Sequence, residues 1–142
     1  MFRALLLGLL VFQAAQTPPA SSTSPDVKKA LDSLQGTWQI VTFNGQDAPP
    51  GVDLSLVFTG DKYEQWTNGS VEERGSVKLD PSTKPMQIDF LISEGNDAGK
   101  VQLGLAEITG DTLGLSFAAP GDPNRPKTPA DGAVSAILKK KK

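Results

Sequence analysis

The chain contains no cysteine and no histidine in 142 residues. Disulfides, thiol nucleophiles, imidazole bases and Cys/His metal centres are therefore excluded. Aromatic residues are scarce at 6%, with two Trp and a single Tyr. Long apolar runs are also missing. The most extended, Ala4 to Phe12, falls well short of the roughly 20 residues that a membrane-spanning helix needs. Basic residues are thin away from the ends: apart from Arg3 and Lys139 to Lys142, 9 Lys and Arg face 16 Asp and Glu. Nucleic acid is not expected as a partner of such a body, because phosphate contacts need Lys and Arg to displace counterions.

What the chain does have is glycine and proline, 14 and 11 of them, which predicts many turns and few long helices. Arg3 followed by the short apolar run, with Ala14, Ala15 and Ala20 as small residues for cleavage, reads as a secretory signal peptide over residues 1–20. Export to the periplasm or outside the cell is expected, with the membrane met only during export. Residues 21–25 end a Pro/Ser/Thr-rich stretch and read as a flexible spacer. Residues 26–140 form the domain, expected as a monomer. The four terminal lysines read as a solvated end that keeps a strand edge soluble.

Ser24-Pro25-Asp26 is a helix start, and Val27, Leu31 and Leu34 place one apolar stripe on that helix before Gly36 stops it. Beyond Gly36 the apolar period becomes two. Trp38 and Ile40 share a face, as do Val52, Leu54, Leu56 and Phe58. Asn68-Gly69 is a hairpin signal between Lys62–Thr67 and Val71–Leu79. Ile88, Phe90 and Ile92 align, then Val101, Leu103 and Leu105. Leu113, Leu115 and Phe117 follow the Gly110-Asp111 turn, and a long loop from Ala119 to Gly132 leads to Val134, Ala136 and Leu138. About eight short strands linked mainly by hairpins predict an all-β fold: an eight-stranded antiparallel up-and-down β-barrel with one short N-terminal helix. A two-sheet sandwich is the competitor.

The Gly36-Thr37-Trp38 start, after a short helix, resembles the Gly-x-Trp opening of lipocalins. More specifically, the blocks LQGTWQIV (34–41), LVFTGDKY (56–63), GSVKLDPSTKPMQIDF (75–90) and LGLAEITGDTLGLSFAAPG (103–121), with Arg125-Pro126, are similar to a planctomycete-expanded family of exported lipocalin-like domains of unknown function. The resemblance spans essentially the whole folded body. It implies the barrel and brings no established catalytic set. It also implies a basic residue packed over the Trp38 ring, for which Lys139, Lys140 and Arg125 are the candidates. The chain departs from the family at Ala106, where an aromatic is usual, near Pro129, where a Phe is usual, and at Lys140, where an Arg is usual.

Candidate chemistry is sparse. Asp80, Asp89 and Asp111 are the carboxylates that acid–base work would need, but their positions beside Pro81 and Gly110 suit turns, and Asp89 has Lys78 and Lys84 as nearby partners. The loops at Asn96-Asp97 and Asp122-Asn124 each supply one carboxylate, too few for calcium. No cofactor, no metal and no enzymatic activity are expected. The interior candidates are Trp38, Leu56, Phe58, Phe90, Leu103, Leu115 and Phe117, joined by the polar Tyr63, Gln65 and Glu73. Small barrels are either filled by side chains or hold one small molecule. The expected function is binding of a small hydrophobic or amphipathic ligand at Trp38, Phe58, Tyr63, Gln65, Glu73, Phe90, Leu103 and Phe117. The alternative is a filled barrel that recognises an envelope protein or a polysaccharide, with Trp66, on the face opposite Tyr63 and Gln65, as its informative residue.

Overall fold

A computed structural model describes residues 24–142. The expected signal peptide and residues 21–23 of the spacer lie outside the described residues. Ser24 caps helix α1 (Pro25–Leu34) by accepting from the Val27 N–H at 3.3 Å. Pro25 sits where a helix needs no N–H, and Asp26 meets the positive end of the helix dipole. Leu34 turns into the core with Ala30 and Leu31 against it. Gly36, at φ 111°, redirects the chain into the first strand.

Nine strands follow: β1 (Gly36–Phe43), β2 (Gln46–Asp47), β3 (Leu54–Thr59), β4 (Lys62–Thr67), β5 (Ser70–Asp80), β6 (Met86–Glu94), β7 (Val101–Thr109), β8 (Thr112–Phe117) and β9 (Val134–Lys140). Leaving β2 aside, each is antiparallel to the next, and β9 returns to pair with β1, closing an eight-stranded barrel. Closure decides against the sandwich, since it leaves no barrel strand unpaired. The extra strand, β2, pairs only with β1 and lies outside the ring. Two residues are too few to show a period. The Asn44-Gly45 turn before it has the same chemistry as Asn68-Gly69, with φ of 50° and 78° against 49° and 83°.

Three bulges tune which side chains face inward. Val41 has no partner across β1–β9, which brings Phe43 back onto the inner face opposite Ala136. Glu72 is extra between the pairs Gln65–Glu73 and Trp66–Val71, and Ser93 is extra between Arg74–Glu94 and Gly75–Ile92.

Three expectations are corrected. Leu103 does not face the interior. The cross-strand pairs Phe90–Gln102, Ile88–Gly104 and Ala106–Leu115 put Gln102, Gly104, Ala106 and Ile108 inside, so Val101, Leu103 and Leu105 look outward. The reason is a second apolar layer. The loop between β8 and β9 folds across the outside of the barrel, where Arg125 donates to the carbonyls of Gly104 at 2.8 Å and Ile88 at 3.3 Å, and pairs with Asp89. The Ser116 hydroxyl holds the Pro129 carbonyl at 2.9 Å, and Leu105 is only 5% exposed although it faces outward. Asp89 thus pairs with Arg125 rather than with Lys78 or Lys84. The lysine run is not wholly a loose end either. Lys139 and Lys140 belong to β9, and the Lys141 N–H donates to the Thr37 carbonyl at 2.8 Å.

A cavity in the open half of the barrel

The two ends of the cylinder are built differently. At one end lie α1, the short β3–β4 and β7–β8 turns and the last residues of β9. Here the barrel axis is filled by side chains, and a groove of about 610 Å³ lies beside it between α1, residues 81–86 and β7. Trp38, Leu34, Phe58, Ile88, Leu113 and Leu138 are fully buried, and the Trp38 indole N–H donates to the Leu34 carbonyl at 2.8 Å. Lys140 Nζ stands 5.5 Å from the centre of the Trp38 ring and is the basic residue that covers it. The Gln35 amide ties the helix to the β3–β4 turn, donating to the Gly60 carbonyl at 2.9 Å and accepting from its N–H at 2.7 Å.

The other end carries the longer loops, and there a cavity of about 230 Å³ opens between the strands. Its apolar wall comes from Ile40, Leu54, Leu56, Leu115, Val134 and Leu138, with Phe43, 42% exposed, at the rim. Phe90 forms the centre of an aromatic floor. Its ring meets Tyr63 at 4.7 Å and Phe117 at 5.0 Å, both edge to face, and Phe58 at 6.4 Å. Two glycines make room for these rings. A Cβ on Gly75 would fall 2.8 Å from the Tyr63 ring and 2.1 Å from the Leu91 carbonyl oxygen, and one on Gly104 would fall 2.5 Å from the Phe117 ring. The bare backbone at β5 and β7 is therefore what lets rings from β4 and β8 lie flat across the barrel.

Polar groups enter from one side. Tyr63 donates its phenol to Glu73 Oε1 at 2.8 Å, and Gln65, directly opposite Glu73 on the neighbouring strand, lines the same space. Burial pushes the Tyr63 phenol far above its ordinary range, and the Glu73 carboxylate that accepts its proton pushes it further. Gln102 reaches the cavity from β7 while its amide donates to the Ala118 carbonyl at 3.1 Å, and Asp97 stands at the rim.

Of the residues expected inside, Tyr63, Gln65, Glu73, Phe90 and Phe117 are brought together around this cavity. Trp38 and Phe58 belong to the solid half and do not line it, and Leu103 is outside. Sequence reasoning missed Gln102 and Asp97. Gln102 was legible only by choosing the less apolar face of β7, and Asp97 comes from a loop with no period. Trp66 faces outward as expected, yet it is half-buried, and its indole N–H is enclosed without an acceptor among the described residues. Asp80 is a turn residue. The Ser82 hydroxyl and N–H donate to it at 2.6 and 3.0 Å and hold its carboxyl below the usual range. Comparison with protein-family models, with curated proteins and with solved structures finds no match to this chain.

Proposed function

We propose that this chain is an exported, lipocalin-like, monomeric module that binds one small amphipathic molecule inside the barrel and performs no covalent chemistry on it. The observation that carries the reading is the hydrogen-bonded Tyr63–Glu73 pair set into a cavity whose lining is mainly apolar, with Gln65, Gln102 and Asp97 as its other polar side chains. Filling the barrel with apolar side chains would need no such pair, and the Glu73 carboxylate gives up hydration that a polar group of a ligand restores. Export is supported by Arg3 and the apolar run behind it. The volume limits the occupant. Engineered apolar cavities of about 150 Å³ hold benzene, and drug-sized pockets begin near 300 Å³. A cavity of 230 Å³ therefore suits a compact molecule rather than a long-chain lipid.

Native mass spectrometry and thermal melts with n-butanol, n-hexanol and n-decanol test this. A saturable rise in melting temperature is expected for the two shorter alcohols, since a ligand bound only by the folded state stabilises it by mass action. The rise should disappear in Ala136→Trp, which fills the cavity. No saturable shift for any alcohol, and no bound species in the spectrum, would overturn the proposal. Recognition of an envelope protein or polysaccharide has less support, because Trp66 is tucked against the barrel wall instead of standing free as an anchor.

A further inference from the structure

We infer that the occupant is a small organic cation, an apolar amine whose ammonium group sits at Glu73 while its hydrocarbon part rests on Phe90 and Phe117. This rests on the cavity-binding proposal and adds the sign of the charge. Among the described residues two carboxylates, Glu73 and Asp97, line the cavity, and no Lys or Arg does. Asp97 is already answered at the rim by Lys100, whose Nζ lies 3.1 Å from Oδ1. Glu73 is not. Among the described residues its carboxylate accepts one side-chain hydrogen bond, from the Tyr63 phenol on Oε1, and Oε2 is left open. The adjacent Arg74 is no help, because it faces outward and is held by Glu64 at 2.8 Å and Glu94 at 3.0 Å.

A phenol orients a carboxylate without neutralising it. The negative charge of Glu73 therefore acts across a low-dielectric space, attracting a cation and repelling a carboxylate headgroup. The Phe90 and Phe117 rings, 5.0 Å apart, give the hydrocarbon part an apolar surface beside that charge. An anionic fatty acid of any length would place like charges together at the one polar corner of the cavity.

The test is isothermal titration of the whole secreted chain with n-hexylamine, n-hexanol and hexanoate, three probes of equal length and different charge. Hexylamine should bind about tenfold more tightly than hexanol, the effect of one charge-assisted hydrogen bond, and hexanoate should not bind. Glu73→Gln should erase the preference, taking the amine-to-alcohol affinity ratio from about ten to about one. Gln65→Lys, which supplies an internal ammonium across the strand pair from Glu73, should abolish the amine's advantage in the same way and decides the matter if Glu73→Gln does not fold. Equal binding of amine and alcohol, or tighter binding of hexanoate, overturns the cation assignment and leaves the cavity proposal intact. Binding of none of the three overturns both.

Discussion

The closed end and the open end of this barrel are made from the same strands, yet they solve opposite problems. At the closed end Trp38 and Leu34 fill the cylinder, with the indole N–H on the Leu34 carbonyl and the Lys140 ammonium over the ring. At the open end the strands surround about 230 Å³ of space, with Glu73 and Asp97 in its lining. The contrast teaches that tight packing and open space have been placed in different halves of one core. A packed end can hold the cylinder shut while the other end carries a vacancy that costs packing energy.

The sharpest way to break that comparison is truncation at each end. Trp38→Ala should lose about 3–5 kcal/mol, a large part of the roughly 5–15 kcal/mol that holds a domain of this size, and should give poorly soluble protein. A sharp native melt in that variant would mean that the closed end is not the keystone. Leu115→Ala, on the cavity wall, should cost less, about 2 kcal/mol, because that side chain already borders empty space. Urea melts of the two variants measure the difference, and equal losses would erase the distinction between the ends.

A smaller effect lies in the cavity itself. Tyr63 is the only tyrosine, so tyrosinate absorbance reports on it alone. In the unfolded chain it ionises near 10.0, whereas in the fold burial and Glu73 keep the proton on. The stabilisation from the neutral buried phenol is thus complete below pH 10 and is lost progressively as the pH climbs above it. Absorbance should rise only together with unfolding, and Tyr63→Phe should soften the alkaline loss while removing about 1 kcal/mol at neutral pH. Tyrosinate forming near pH 10 with the fold intact would show that the phenol is in contact with water.

The least effect is expected on the outer wall. Trp66→Phe removes an enclosed indole N–H that has no acceptor, so stability should be unchanged or slightly higher, in contrast to Trp38→Phe, which breaks the bond to Leu34. A loss for Trp66→Phe equal to that for Trp38→Phe would reveal an acceptor for the Trp66 N–H.

Much of this was legible residue by residue. The Ser24 cap and the Asn68-Gly69 turn are local, so their chemistry is visible within four or five residues. Tyr63 and Gln65 share a face by the simple alternation of β4, whereas Glu73 joins them only through the Glu72 bulge, which shifts the register of β5 by one residue. Leu103 could not be placed, because β7 is covered on both sides and its more apolar face looks away from the axis. Phe43 could not either, since the Val41 bulge that turns it inward leaves no mark in the composition.

The amino-acid sequence by itself therefore determined the period-two strands, the capped helix, the turns and the absence of Cys/His chemistry, all of which depend on neighbours along the chain. Only the tertiary structure decided that the cylinder is half solid and half hollow, that Lys140 rather than Lys139 or Arg125 covers Trp38, and that Glu73 lacks a basic partner. Those facts are sums over side chains that meet from distant strands. The same strand patterns tolerate a filled or an open interior, and two glycines, Gly75 and Gly104, with the rings that lie against them, set where the open part falls.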